Sequence, residues 1–470
     1  MIFGIGQSDK QILTLLVKSA IILAERLPVN VLPDPIRQIL RRLLRAYPSL
    51  GWLRLNIGVK RWVALLLFGI VLLGLGIAFV LVEIYRDGAL PPALTALTLQ
   101  FLPRWLRAAL LGMLGIGAVA VSLWRLSNTI LSPFTGGDRP IVKVVTDHRR
   151  KGRGPKVVVI GGGTGMSTLL RGLKTHTSNI TAIVTVADDG GSSGRLRRSL
   201  GVLPPGDFRN CLAALADDES LITQLFQYRF GAGDGLEGHS FGNLFITAMA
   251  EVTGSFEKAL LESSRVLNIQ GRVIPATIYD VTLVGDVRDV ARETGPAYRV
   301  EGESALPAAP GIIERVFLQP DNVPAYPEAL QALLAADLIV AGPGSLYTSV
   351  IPNLLVRDIA AAVKASRALK VYVCNVATQP GETDDYSVLD HVRALEAHTE
   401  EGLFPTVVAN DRQVGELLPN LKWVKPDPSL NGTHRLVLAG VSAPTAPWRH
   451  DSAKLANVLM KLIEDNLVAL

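Results

Sequence analysis

Hydrophobic and polar positions follow three regimes along this chain. Over residues 35–47, Ile36, Ile39, Leu40, Leu43, Leu44 and Tyr47 recur at helical spacing, with Arg37, Arg41, Arg42 and Arg45 mostly off that stripe. The pattern predicts a basic amphipathic helix lying on an anionic leaflet. Two uncharged apolar runs follow, twenty residues at 63–82 and seventeen at 108–124. At helical rise they span roughly 30 Å and 26 Å, about one hydrocarbon thickness each. Trp62, Trp105 and Trp124 stand at their ends, where interfacial aromatics belong. The first run starts too far into the chain for a signal peptide, so a two-helix transmembrane hairpin is expected.

From Lys156 the pattern changes to short β-branched runs alternating with helical stripes. Strands are predicted at 156–160, 180–187, 338–341 and 370–375. Helices are predicted from 167, over 207–216, 243–252 and 327–336, and from a capping box at Ser387 and Asp390 through 397. Such alternation implies a doubly wound, mostly parallel, Rossmann-like three-layer α/β sheet. Residues 271–320 read instead as short, turn-punctuated strands, a small β-rich antiparallel insertion.

Charge sharpens this plan. The net charge of +5 conceals +7 over residues 1–61, +6 over 125–156 and −9 over 157–470. An acidic domain repels a polyanion, so nucleic acid is excluded as its partner. The basic flanks place both ends of the hairpin in the cytoplasm, and the basic linker is drawn to lipid headgroups. Two cysteines, Cys211 and Cys374, fit a reducing compartment and supply no metal site. The domain plan is a cytoplasmic segment at 1–60, the hairpin at 61–125, a linker at 126–155 and an α/β domain at 156–470.

In open parallel sheets, ligands lie beyond the strand C-termini, so the residues just after each strand are the candidates. Gly161, Gly162, Gly163, Thr164 and Gly165 close the first strand. Counted from Gly161, a G-x-G-x-x-G fingerprint ends on Met166, and from Gly163 on Thr168; no Gly-Lys-Ser/Thr follows for a P-loop. What remains is the general device of glycine backbone admitting an anion to amides, or a tight turn without a ligand. Asp188 and Asp189, with Ser192 and Ser193, follow the second strand. An acid there can accept from a ribose hydroxyl, hold Mg²⁺, act as a base or cap backbone amides. Asp207, Arg209 and Asn210 open a helix, Asp207 as an N-cap or ligand group and Arg209 as an anion clamp. His239, Ser240 and Asn243 open another, with His239 either structural or a proton donor to a ligand. Gly342, Gly344, Ser345, Tyr347 and Ser349 repeat the glycine-plus-hydroxyl theme, and two such loops in one sheet suit a diphosphate.

In this order GGGTG, VADDGGSSG, PPGDFRN, GHSFGN and AGPGSLYTSVIPNLL resemble the CofD-like superfamily, specifically its gluconeogenesis-factor (YvcK-like) branch. The resemblance runs from about Lys156 to at least Asn410, and DDGGSSG with PPGDFRN carries the branch assignment. It implies one of two activities. The superfamily's 2-phospho-L-lactate transferase uses Mg²⁺ to move a phospholactyl group from a guanosine diphosphate carrier onto a deazaflavin alcohol. The branch is instead implicated in cell shape and growth on gluconeogenic carbon, and binds UDP-sugars such as UDP-N-acetylglucosamine. By motif, Gly161 to Gly165 would meet the phosphates, Asp188 and Asp189 would be the catalytic, Mg²⁺-binding pair of an enzyme, and Ser345 to Ser349 would form the second nucleotide loop. The usual member is a soluble cytosolic protein, so the first 150 residues stand outside the resemblance.

The leading expectation is a nucleotide-sugar-binding regulator anchored at the membrane, its C-terminal domain in the cytoplasm and cell-wall synthesis proteins among its partners. A Mg²⁺-dependent transferase is the alternative, and an NAD(P)-dependent oxidoreductase the third reading. No organic cofactor is expected, and a homodimer is.

Overall fold

A computed structural model of the chain describes residues 151–469 apart from 217–220 and 290–296, together with isolated residues between 70 and 121. The predicted amphipathic helix, hairpin and linker lie outside the described residues, those isolated positions and the linker's last few residues excepted. Among the described residues no single helix is long and apolar enough to cross a membrane.

The sheet has seven strands. They are β1 (Val157–Gly161), β2 (Ile180–Val184), β3 (Arg272–Pro275), β7 (Leu338–Ala341), β8 (Leu369–Val373), β9 (Thr406–Asn410) and β10 (Arg435–Ala439). Their spatial order is β10-β9-β8-β7-β1-β2-β3, and every pairing is parallel. Helices cover both faces, so the central strands β1 and β7 are buried along their whole length and read as continuous apolar runs. The remaining strands, β4 (Thr282–Arg288), β5 (Tyr298–Glu301) and β6 (Ile312–Gln319), form a separate antiparallel sheet in the order β5-β4-β6. The insertion predicted at 271–320 therefore starts one strand late: Arg272–Pro275 is the parallel edge of the main sheet. Its neighbours in sequence, turn-rich and β-branched, disguised it.

Eleven helices are described. These are α1 (Gly163–Leu173), α2 (Gly191–Leu200), α3 (Gly206–Leu215), α4 (Leu221–Gln227), α5 (Phe241–Thr253), α6 (Phe256–Val266), α7 (Pro327–Leu334), α8 (Ile351–Leu354, entered through a π-turn at Leu346–Val350), α9 (Arg357–Ala365), α10 (Val388–His398) and α11 (Ser452–Ala469). In α1 the residues Met166, Leu169, Leu170 and Leu173 share one stripe and are fully buried. Truncating any one of those leucines to Ala would cost about 2–5 kcal/mol. The opposite side of α1 meets α11 at Gly172, where a Cβ would lie 2.8 Å from that of Ala456 and run into the Ser452 carbonyl. The predicted capping box opens α10: the Ser387 side chain accepts from Asp390 N–H, and the Asp390 carboxylate accepts from Ser387 N–H.

Candidate functional site

The two glycine turns meet because the strands that feed them, β1 and β7, are neighbours. A Cβ on Gly165 would lie 2.6 Å from the Pro343 carbonyl oxygen and 2.9 Å from Gly344 Cα. One on Gly344 would lie 3.4 Å from the Gly162 oxygen. Only glycine permits this contact of backbone with backbone, and Gly163 (φ 62°) and Gly342 (φ 79°) also hold left-handed conformations. Asn353, fully buried in α8 just past the π-turn, clamps the pair. Its Nδ2 donates to Gly161 O (2.9 Å) and to Ser349 O (2.7 Å). Helix α1 starts inside the glycine run, four residues before the predicted position, because Gly162 is extended and Gly163 turns the chain at once.

Asp207 is not the helix cap. Pro205 stands at that position, and Asp207 sits in the first turn of α3 with its carboxylate directed at the first glycine turn. A Cβ on Gly162 would strike Asp207 Oδ2. Burial and the neighbouring Asp188 push this carboxyl up to about 7, against the Gly163 N–H that donates to it and the Arg209 charge. Likewise Gly344 N–H donates to Asn375 Oδ1 at 3.3 Å, and Asn375 Nδ2 returns a bond to Gly344 O at 2.9 Å. One amide in each turn thus has a side-chain acceptor already. A phosphate using those amides must exchange with Asn375 and must meet Asp207 either protonated or neutralised by a cation.

The adjacent aspartates have separate partners. Asp188 accepts from Gly190 N–H (2.9 Å) and from Ser193, whose Oγ accepts from Gly206 N–H at 3.0 Å. Asp189 accepts from Ser304 N–H at 2.9 Å and so ties the turn after β5 to the sheet. That turn brings in Glu303, which no local signal had marked. Burial and repulsion from Asp188, Asp207, Glu382 and Asp189 push Glu303 up to about 8. Glu382, buried behind the second glycine turn, accepts from Tyr347 N–H (3.2 Å) and Thr348 Oγ1 (3.1 Å); burial raises it too. Among the described residues no three His, Cys, Asp or Glu side chains gather at metal-ligand spacing.

The other predicted residues occupy two places. Ser192, His239 and Asn243 come together on one wall, with Ser192 Oγ 2.9 Å from His239 Nδ1 and accepting from Asn243 Nδ2 at 3.0 Å. Ser240 caps α5 through Asn243 N–H, and Arg209 donates to Asn210 Oδ1 at 2.8 Å. On the second turn, Ser345 Oγ accepts from Gln379 Nε2 at 2.8 Å. Tyr347 is buried, its hydroxyl 2.9 Å from that of Tyr386. Tyr386 also lines an open cleft of about 490 Å³, together with Thr378, Asp385, Lys422, Trp423 and Lys425. Asn375, Gln379 and Glu382 follow β8 directly, so looking beyond every strand end would have found them.

The structure thus brings paired glycine turns, acids and an arginine to the C-terminal edge of a Rossmann-like parallel sheet. The chain belongs to the CofD family: the family model described as 2-phospho-L-lactate transferase CofD matches residues 157–468. Its relatives include a putative gluconeogenesis factor of a Nostoc species, 47% identical over 87% of this chain and 91% of that protein. The gluconeogenesis factor of Bacillus subtilis is 44% identical over 67% of this chain and all of its own length. A crystal structure of a UPF0052 family member from Bacillus halodurans superposes with a TM-score of 0.61, 44% identity, 65% of this chain and 99% of its own. The Nostoc match reaches well before Lys156, which corrects the expectation that the N-terminal segment stands outside the resemblance.

Proposed function

We propose that this protein is a nucleotide-sugar-binding gluconeogenesis and cell-shape factor, with a UDP-sugar such as UDP-N-acetylglucosamine as ligand. The observation that carries the reading is the contact between the two glycine turns, which gives a diphosphate one face on each. The cleft beside Tyr386 and Trp423 adds aromatic surface and lysine charge, of a size suited to the rest of a nucleotide sugar. The homology to gluconeogenesis factors supports the branch. Occupancy would shift the Gly344–Asn375 exchange and so report ligand to a partner, for which cell-wall synthesis proteins and a second copy of the chain are proposed. The uncharged runs at 63–82 and 108–124 would hold the domain at the cytoplasmic face of a membrane.

Mg²⁺ fits the donor chemistry, though with a different pair from the adjacent aspartates. Asp189 is held by Ser304, whereas Asp188 stands close enough to Asp207 to raise it. Mg²⁺ keeps several waters and needs only one or two carboxylates besides phosphate oxygens. Bound there, it would neutralise diphosphate charge. Asp188 and Asp207 would hold it, Gly190 and Ser193 would orient Asp188, and Glu303 would set the field. Isothermal titration of the full-length protein with UDP-N-acetylglucosamine and Mg²⁺ tests the reading; a folded protein that binds no UDP-sugar at millimolar ligand overturns it.

A transferase is the second reading, favoured by the family model over 157–468. In it, an acceptor hydroxyl attacks the phospholactyl phosphorus and guanosine monophosphate leaves. Release of that product, dependent on acceptor and Mg²⁺, is the assay. Asp188→Asn should abolish turnover while keeping nucleotide affinity within about tenfold, or 1.4 kcal/mol; normal turnover in that variant ends the catalytic assignment.

A further inference from the structure

The wall carrying Ser192, His239 and Asn243 also carries three arginines. Arg195, on the first turns of α2, donates from Nη2 to Glu237 O at 2.8 Å. Arg229 donates from Nη1 to the next carbonyl, Gly238 O, at 2.5 Å. Two guanidiniums thus grip consecutive carbonyls immediately before His239. A Cβ on Gly238 would lie 3.1 Å from Arg195 Nη2. Behind them is Arg209, only 8% exposed, whose Nε has no hydrogen-bond partner. Its stem runs so close to Gly242 that a Cβ there would lie 2.8 Å from Arg209 Cγ. The Asn243 Oδ1 beside it is also unpartnered, in a side chain 2% exposed.

The electrostatics agree with the geometry. Burial and then Arg229 disfavour the charge on Arg209, against Asp207 and Asp188, and burial, Arg195 and Arg229 disfavour a charge on His239. Among the described residues none of the three arginines forms an ion pair with a carboxylate. Asp207 and Asp188 offset part of the Arg209 charge from the crevice side, but its buried Nε donor still lacks a partner, and leaving it so costs free energy. Planar guanidinium donors suit an oxyanion, phosphate or carboxylate alike.

We propose that Arg195, Arg209, Arg229, His239 and Ser192 form a second oxyanion subsite, beside the paired glycine turns, that takes a phosphate or carboxylate. The oxyanion is either a second acidic group on the crevice ligand or a free effector. The inference rests on the crevice being an anion site and not on the ligand being a UDP-sugar. Arg209 forms the floor, the exposed Arg195 and Arg229 form the rim, and His239 reads the occupant's charge.

The test uses full-length protein and inorganic phosphate, with succinate as the carboxylate probe. His239 is followed by NMR on ¹³C-labelled histidine, its resonance identified by its loss in His239→Gln. Phosphate, succinate or both should move that resonance saturably. The double variant Arg195→Ala/Arg229→Ala, whose residues are exposed and so leave folding intact, should weaken the effect at least about tenfold. If neither probe moves the His239 resonance, or if the double variant responds like the parent, the subsite does not exist. UDP-N-acetylglucosamine separates the sources and the two readings. Should it bind without competing with the probes, the occupant is a free effector. Competition makes the occupant part of the ligand. If it fails to bind while phosphate still moves His239, the nucleotide-sugar reading falls and the subsite stands.

Discussion

Replacing Asp207 with Asn should stabilise the protein at alkaline pH. The carboxyl is partly buried, lies near Asp188, and is raised from 3.8 to about 7. The sign follows from linkage. A carboxyl whose folded pKa lies above its unfolded value binds protons more tightly when folded, so its stabilising contribution is complete below pH 3.8 and is lost as pH rises through 7. A shift of 3.2 units, from 3.8 to 7, corresponds to at most about 4 kcal/mol lost by pH 8, at 1.36 kcal/mol per unit. Asn keeps an oxygen to accept from Gly163 N–H and cannot ionise. Urea denaturation in chelator-containing buffer at pH 5 and pH 8 checks this. The parent should lose stability between those values by a few kcal/mol, and Asp207→Asn should lose much less, crossing above the parent at pH 8. A variant that is less stable than the parent at pH 8, with the same pH slope, would refute the reasoning about this carboxyl.

Three further outcomes follow from the same site. Gly165→Ala drives a Cβ against the Pro343 and Gly344 backbone, which cannot yield as a side chain could; it should lower the melting temperature and weaken ligand binding, whereas Gly432→Ala, with nothing within 4 Å, should be neutral by both measurements. Asn353→Ala removes Nδ2 from the Gly161 and Ser349 carbonyls, although Gly161 O keeps Thr185 N–H, and should cost about 0.5–1.5 kcal/mol per bond lost, read by denaturant midpoint. Added Mg²⁺ should raise the melting temperature at pH 8 more than at pH 5, because a proton on Asp207 competes with the cation. Asp188→Asn should remove most of that gain, and an equal shift in variant and parent would count against the Asp188–Asp207 pair.

Much of the frame was legible because its signals are local. The buried runs of β1, β2, β7 and β8 stand out as β-branched clusters, and the Ser387–Asp390 box is a spacing on the page. The glycine turns were readable as turns, and their adjacency followed once β1 and β7 paired. Three things were not readable. Strand β3 is four residues long and looked like the insertion that follows it. Helix α2 begins in Gly-Ser-Ser-Gly, a composition that reads as loop and forms a helix only when Ser192 and Ser193 find partners on α5 and α3. Glu303 comes from about a hundred residues away along the chain, and the repulsion it meets from Asp188 and Asp207 exists only in the folded arrangement.

Glu303 rides on a three-stranded sheet that shares no strand with the parallel one and is pinned by the Asp189–Ser304 bond. The acid on which four other carboxylates press is therefore mounted on a replaceable module. Lengthening or shortening a β-hairpin there would retune the affinity for protons and cations while every glycine that shapes the ligand cradle stayed where it is, so selection could adjust responsiveness and recognition independently.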